Sequence, residues 1–311
     1  MRITTLEEIN TVLPRLDLVS AIEAAFVAYS EDRAVVPPVG ELLLEKGDVH
    51  IKYGYVRGEE FYVIKIASGF YGNAQLGLPS GNGLMLLYRQ ETGELVNVLL
   101  DEGHLTDVRT AVAGAVAARH LAPSQVQRIG IVGTGVQARL QLGWLSRVTD
   151  CRDALIWGRN AEHAERCAAD MGTVGFKVET TGDASAILRE CNLVVTTTAA
   201  TEPILNAKDL RPGTHITAVG SDTPHKQELD AGILTLADVV AADSIEQCKV
   251  RGEIYQAVQQ GVTTGGLTVE LGDVIAGRST GRTDDEKITV ADLTGVAVQD
   301  MAIAGAVHAA L

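Results

Sequence analysis

The chain has 311 residues, of which 46% are hydrophobic and 21% charged, and its formal net charge is −14. This length suits two domains, and the composition is typical of a globular protein and excludes a disordered chain. The negative charge and the lack of any basic block argue against nucleic-acid binding, which requires clustered Lys and Arg.

The cysteines and the N-terminal residues indicate the cellular compartment of the protein. Cys151, Cys167, Cys191 and Cys248 are widely spaced and form no CxxC pair, so we expect reduced thiols, no disulfide framework and no metal site. The first residues lack the charged-then-apolar order of a signal peptide, and no apolar run reaches the ~20 residues of a membrane span. The expectation is a cytoplasmic enzyme with no membrane segment.

The first part of the chain predicts a helix followed by a sheet. Residues 17–29 place apolar side chains at helical spacing behind an acidic start. From Val49 onward, β-rich runs are joined by short turns, which predicts an antiparallel or mixed sheet. The stretch "LTDVRTAVAGAVAARHLA" then predicts a tightly packed helix with Thr106 as N-cap, Asp107 in the first turn and Arg109 near its N-terminal end.

From Val126 onward, strands and helices alternate. Strands are predicted at "RIGIV", "ALIW", "NLVVTT", "HITAVG" and "DVVAAD", and helices over 137–148 and 161–171. This alternation predicts an α/β fold with a Rossmann-type, doubly wound parallel sheet, beside a mixed α+β first domain. The closing stretch, "TVADLTGVAVQDMAIAGAVHAAL", is interpreted as one alanine-rich helix that packs on the first domain.

One glycine loop indicates a dinucleotide site. Gly133 and Gly135 follow an apolar strand, and Val136 and Gln137 open the next helix, which is the context that the motif requires. The first glycine permits a tight turn, the second lets backbone approach a pyrophosphate, and the helix N-terminus offers N–H groups. A purely structural turn is the alternative.

The nucleotide specificity stays open. An NAD site commonly carries an acidic residue at the end of its second strand, whereas "ALIWGRN" offers Arg159 and Asn160. Arg159 suits the 2′-phosphate of NADP, and it equally suits stacking on the adenine of NAD.

Several separate motifs together resemble the ornithine cyclodeaminase/mu-crystallin family over nearly the whole chain. They are "VIKIASGF", "GLPSGNGLMLLYRQETGE", "LTDVRTAVAGAVAARHLA", "IGIVGTGVQA", "VVTTTAATEPIL", "AVGSDTPHKQEL" and "ITVADLTGVAVQD". The family includes ornithine and lysine cyclodeaminases, an alanine dehydrogenase type and reductases of cyclic and acyclic imino acids. The resemblance implies a homodimer with a substrate-binding and dimerisation domain over 1–118, a dinucleotide-binding domain over 119–294, and a helix over 295–311 that returns to the first domain.

Carried over by position, the resemblance implies that Lys65 and Arg109 hold the α-carboxylate of the substrate. A lysine inside an apolar strand is costly unless it is paired, and an arginine binds a carboxylate with two parallel hydrogen bonds. An internal salt bridge is the alternative for both residues. In the loop "AVGSDTP", the resemblance implies that Val219 contacts the cofactor and that Asp222 is the acid/base and a cofactor contact. A loop-capping role is the alternative for Asp222.

Five small polar residues complete the implied site. Thr110 would contact the cofactor phosphates, Thr196 and Thr198 the cofactor at a strand end, Thr294 the nicotinamide, and Ser80 the substrate. Strand ends and turns favour Ser and Thr in any case, so a structural role is the alternative for each.

Two departures from the family pattern concern the substrate. Gly40 stands where many members have an arginine, and "HIKY" stands where many have a Met-Pro-Gly turn. His50 and Lys52 share one strand face, and Lys52 in the pocket would add a second cation that suits a second carboxylate. Solvated edge-strand residues are the alternative.

The leading hypothesis is an NAD(P)H-dependent reductase of a small α-imino acid, with iminosuccinate as the preferred example. An ornithine or lysine cyclodeaminase that recycles its NAD is the first alternative, and Lys52 disfavours its basic substrate. A non-catalytic, crystallin-like binder of NAD(P) and a small ligand is the second.

Overall fold

The computed structural model describes residues 1–311, except for the side chains of Tyr71 and Ala74. The chain forms two compact units: unit 1 comprises Met1–Arg109 and Val296–Leu311, and unit 2 comprises Thr110–Gly295. The boundary that the sequence placed between residues 118 and 119 falls within one continuous helix, His104–Leu121. The division between Arg109 and Thr110 lies in the same helix. Because no loop or linker separates the two units at this point, the composition of the sequence gives no signal for it.

Unit 1 is built on a seven-stranded mixed sheet. Its strands are β1 (Arg2–Thr5), β2 (Ala34–Val35), β3 (Gly40–Leu44), β4 (Gly47–Val56), β5 (Phe61–Gly69), β6 (Gly81–Arg89) and β7 (Leu95–Leu100). Their order is β1-β7-β6-β5-β4-β2, and β3 pairs with β4. Only the β1–β7 pair is parallel, so the predicted mixed sheet is confirmed.

Unit 1 also contains helices. They are α1 (Leu6–Val12), α2 (Leu18–Ser30), the first turns of α3 (His104–Leu121) and the C-terminal helix (Ala297–Ala309). The Asp17 carboxylate accepts the Ser20 N–H at the start of α2, whose apolar face is buried as predicted. The C-terminal helix packs against α2 and against β4, β5 and β6.

Unit 2 contains an eight-stranded sheet in which every pairing is parallel. Its strands are β8 (Ile129–Val132), β9 (Asp153–Trp157), β10 (Lys177–Thr181), β11 (Leu193–Thr196), β12 (His215–Ala218), β13 (Val239–Ala242), β14 (Leu267–Glu270) and β15 (Thr289–Asp292). Their order is β10-β9-β8-β11-β12-β15-β13-β14, which confirms the Rossmann-type, doubly wound sheet. The helices between them are α4 (Val136–Leu145), α5 (Ala161–Thr173), α6 (Ala184–Glu190), α7 (Ala231–Leu236), α8 (Ile245–Cys248), α9 (Gly252–Gln259) and α10 (Leu271–Ile275).

Two local predictions were wrong. The closing stretch is not one helix, because its first residues form β15, a buried strand between β12 and β13. A short apolar run fits a buried parallel strand as well as a helix, so periodicity alone does not separate the two. Thr106 is not the N-cap of α3, which begins at His104; the Asp101 carboxylate accepts the Leu105 N–H at 2.8 Å instead.

None of the helices that the structure describes combines the length and the apolar character needed to cross a membrane.

Candidate functional site

The glycine loop of unit 2 has room for a pyrophosphate. Gly133 has φ +126°, and a Cβ there would lie 2.3 Å from Thr197 Oγ1. A Cβ on Gly135 would meet no atom within 4 Å, and Gly135 caps α4 without a side-chain hydrogen bond. Val136 in the first turn is 58% exposed. An open space in front of helix N–H groups fits the phosphates of a dinucleotide.

A cavity of about 370 Å³ lies at the ends of β9 and β10. It is lined by Trp157, Gly158, Arg159, Ala161, Ala164, Thr180, Thr181 and Gly182. Arg159 is exposed there, whereas the Asn160 side chain accepts the His163 N–H at 3.0 Å and caps α5. In the part of the chain that the structure describes, no acidic residue lines this cavity. Its position in the fold is the one where Rossmann sheets bind the adenosine half.

The threonines of the predicted cofactor site are tied to buried carboxylates that the sequence did not reveal. Thr196 Oγ1 donates to Glu228 at 2.7 Å, and Thr198 Oγ1 donates to the same side chain at 2.8 Å. Thr294 Oγ1 donates to Asp243 at 2.9 Å. These bonds fix the segments that follow β11 and β15, and a direct contact of these hydroxyls with a cofactor stays a prediction.

The two remaining cofactor candidates lie on backbone that is held firmly within unit 2. The carbonyl of Thr110 accepts from Gln141 Nε2 at 3.1 Å, and the same amide interacts with Gln137 at 3.4 Å. Val219 is 7% exposed, and its N–H donates to the carbonyl of Thr196 at 3.0 Å.

Asp222 carries a carboxylate at the solvent boundary of unit 2. Its side chain is 41% exposed, and Lys226 Nζ lies 2.7 Å from Oδ1. The Arg251 guanidinium donates to the carbonyl of Asp222 at 3.3 Å. An ionisable group that reaches solvent is able to exchange protons. Sequence reasoning missed Lys226, although the i,i+4 spacing from Asp222 was a usable signal.

In unit 1, three cations gather around one carboxylate. Lys52 and Lys65 face each other in the register of β4 and β5, and they are 7% and 2% exposed. Lys65 Nζ lies 3.4 Å from Asp300 Oδ2, and Arg109 Nε lies 2.9 Å from Asp300 Oδ1. We name these four side chains the cation cluster. Gln299 supports it, because its Oε1 accepts from Arg109 at 2.6 Å.

The charges of the cation cluster act on Asp300. Burial raises the pKa of this carboxyl, but Lys65, Arg109 and Lys52 together lower it below its ordinary value. Asp300 is therefore ionised at neutral pH. Lys65 and Arg109 do form the internal salt bridge that was the alternative interpretation, and their role as substrate ligands stays a prediction. For Lys52, the solvated edge-strand alternative is wrong, because the side chain is buried and β4 has paired strands on both sides.

The other two substrate candidates lie in more exposed positions. His50 Nε2 lies 3.4 Å from Glu41 Oε1 on the neighbouring β3. Ser80 is exposed, and its carbonyl accepts the N–H of Phe70 at 2.7 Å.

Comparison with known proteins decides the family. The ornithine cyclodeaminase/mu-crystallin family model matches residues 1–311. The chain belongs to this family. It is 44% identical to the uncharacterized cyclodeaminase y4tK of Sinorhizobium fredii, over 98% of this chain and 94% of that protein. It is 31% identical to the iminosuccinate reductase of Paracoccus denitrificans, over 92% and 89%. An archaeal alanine dehydrogenase dimer with bound NAD superposes with a TM-score of 0.90, at 34% identity, covering 99% of this chain and 95% of that one.

Membership of this family establishes the general type of reaction. This ornithine cyclodeaminase/mu-crystallin protein is an NAD-dependent oxidoreductase that acts on CH–NH2 or C=N groups, in a family of amino-acid dehydrogenases and imino-acid reductases. The open glycine loop and the cavity beside β9 agree with this cofactor.

Proposed function

We propose that the protein is an NAD(P)H-dependent reductase of a small α-imino acid, and that a dicarboxylic imino acid such as iminosuccinate, which yields L-aspartate, is its substrate. The observation that supports this proposal is the cation cluster, in which Lys52, Lys65 and Arg109 are all buried with Asp300.

The charge of the cation cluster favours a dianionic ligand. Lys52, Lys65 and Arg109 contribute three positive charges, and Asp300 contributes one negative charge. Buried charge is costly unless it is paired and hydrogen-bonded. A dicarboxylate places two negative charges beside these cations and a monocarboxylate places one, whereas the ammonium side chain of ornithine would add a positive charge. The buried position of Lys52 therefore favours the reductase over a cyclodeaminase with a basic substrate.

Within this proposal, each group has one task. Lys65 and Arg109 hold and orient the α-carboxylate, and Lys52 binds the second carboxylate. Asp222, in its protonated form, donates the proton that the substrate nitrogen gains with the hydride, and Lys226 stabilises the carboxylate that results. Bound dihydronicotinamide supplies the hydride. The glycine loop and the cavity beside β9 bind the pyrophosphate and the adenosine half.

We also propose that the chain forms a homodimer through β3. Leu42, Leu43 and Leu44 are 55%, 73% and 51% exposed, so both faces of this strand present apolar side chains. A long apolar edge strand is an association surface unless it is covered. A second copy of the chain is the proposed cover, in line with the dimer reported for the archaeal alanine dehydrogenase.

One assay tests the catalytic proposal. The purified protein is offered NADH or NADPH with oxaloacetate, pyruvate or glyoxylate and ammonium, and separately ornithine with NAD. We expect cofactor oxidation in the first series, fastest with oxaloacetate. Ammonia and proline formed from ornithine without net cofactor change would instead show a cyclodeaminase. Cofactor binding without turnover in either series would show a non-catalytic binder.

A further inference from the structure

A single buried carboxylate forms hydrogen bonds with the segments that follow two strands of the dinucleotide sheet, β11 and β12. Glu228 is 0% exposed. Its Oε1 accepts the Thr198 N–H at 2.6 Å and the Thr198 hydroxyl at 2.8 Å. Its Oε2 accepts the Gly220 N–H at 2.8 Å and the Thr196 hydroxyl at 2.7 Å. Each carboxylate oxygen thus binds one backbone N–H and one threonine hydroxyl.

The segment that Glu228 holds is in direct contact with the glycine loop. Thr197 lies between the two threonines, and its N–H and hydroxyl both donate to the carbonyl of Val132, at 2.8 and 3.1 Å. Thr197 Oγ1 occupies the space that a Cβ on Gly133 would need. A shift of the segment after β11 therefore displaces the first glycine of the predicted pyrophosphate site.

The backbone around Glu228 leaves little freedom for adjustment. A Cβ on Gly220 would lie 2.1 Å from the carbonyl of Thr198 and 2.6 Å from Glu228 Oε2. The N–H groups of Glu228 and Leu229 donate to the carboxylate of Glu253, at 2.8 and 3.2 Å. Burial raises the pKa of Glu228, and the hydrogen bonds from Thr196, Thr198 and Gly220 oppose that shift.

We propose that Glu228 is a positioning residue of the dinucleotide site, which sets the segments after β11 and β12 against the glycine loop so that the loop is open to the pyrophosphate. The inference rests on the dinucleotide site of the proposed function. Glu228 acts from behind the site through Thr196, Thr198 and Gly220, so it is not a catalytic residue.

The substitution Glu228→Gln tests this positioning role, because glutamine has nearly the same shape as glutamate. Its amide places an NH2 group where one carboxylate oxygen was. A threonine hydroxyl can rotate to accept from that group, but the Thr198 and Gly220 N–H groups cannot. Either orientation of the amide therefore loses one backbone hydrogen bond and leaves a buried donor unsatisfied.

The experiment measures binding, not turnover. NADH and adenosine are titrated against the parent protein, Glu228→Gln, Thr196→Val and the control Thr289→Val, and thermal unfolding is recorded for each. Thr289 makes buried hydrogen bonds to the carbonyl of Leu121 and to His215, at the amino ends of β15 and β12. The control thus loses stability away from the glycine loop.

We expect Glu228→Gln to weaken NADH about 10- to 100-fold and Thr196→Val about 3- to 10-fold, with Thr289→Val within about 2-fold of the parent. Adenosine should bind all variants within about 2-fold, because it has no phosphate and the cavity beside β9 does not involve Glu228. NADH affinity that is unchanged in Thr196→Val and Glu228→Gln, or that falls equally in Thr289→Val, overturns the inference. If Glu228→Gln does not fold, Thr196→Val decides alone. A parent protein that binds no NADH refutes the dinucleotide site itself, which is a separate result.

Discussion

Replacing Lys52 with methionine removes one charge from the cation cluster and keeps most of the aliphatic volume of the side chain. Lys52 is 7% exposed and lies opposite Lys65, so a carboxylate bound there is shielded from water. A hydrogen bond to a charged group at such a position contributes about 1.5–3 kcal/mol, which corresponds to about 10- to 150-fold in kcat/KM. We expect the variant to lose this factor for a dicarboxylic substrate and little for a monocarboxylic one.

The assay compares kcat/KM for oxaloacetate with ammonium against pyruvate with ammonium. Lys46→Met serves as the matched control, because Lys46 is exposed in the turn that joins β3 and β4. Thermal unfolding checks that Lys52→Met is folded, because the substitution removes both the repulsion from Lys65 and the attraction to Asp300. A ratio of the two kcat/KM values that stays at the parent value in a folded Lys52→Met protein would refute the role of Lys52 in substrate choice.

Four further outcomes follow from the structure. Asp300→Asn should destabilise the protein by about 3–5 kcal/mol, because it removes the carboxylate from a buried ionic cluster, and added malonate should recover part of the loss; equal stability would contradict this. Burial raises the pKa of Asp292 from 3.8 to about 7. The protonated carboxyl therefore contributes about 4 kcal/mol to the free energy of unfolding at low pH, and this contribution is lost as the pH rises from about 4 to about 7. Asp292→Asn should flatten that part of the pH dependence of unfolding, and an unchanged profile would exclude the assignment. Leu43→Glu should convert a dimer to a monomer in light scattering, whereas Leu236→Glu, at an exposed leucine of unit 2, should not. Arg159→Ala should weaken NADPH about 10-fold and NADH less than about 3-fold if Arg159 pairs with a 2′-phosphate, and equal losses would indicate stacking on adenine.

The parts of the fold that were predictable depend on local signals. A parallel sheet follows from strands that alternate with helices, and a phosphate site follows from Gly133 and Gly135 between a strand and a helix, within one short segment. Lys65 was predictable for a different reason. A charged residue inside an apolar strand is costly to bury, so it is expected to have an oppositely charged partner.

The partners themselves were not predictable, because they are distant in sequence. Arg109 and Gln299 are 190 residues apart, and Asp300 follows Gln299 in an otherwise alanine-rich helix. Gln299 and Asp300 are adjacent polar residues on a buried helix, and this was the available signal. It does not indicate which residues they contact. Glu228 had no comparable signal, since its four hydrogen bonds come from segments that only the order of strands β11 and β12 brings together.

In the proposed function, Asp300 holds Lys65 and Arg109 in place before the substrate arrives. Without it, Lys52, Lys65 and Arg109 would be three like charges in a buried space, and their repulsion would favour deprotonating a lysine or opening the sheet. The same cations lower the pKa of Asp300, so it remains ionised at neutral pH. In the proposed function, this resident carboxylate orients the cations before a dicarboxylic imino acid binds.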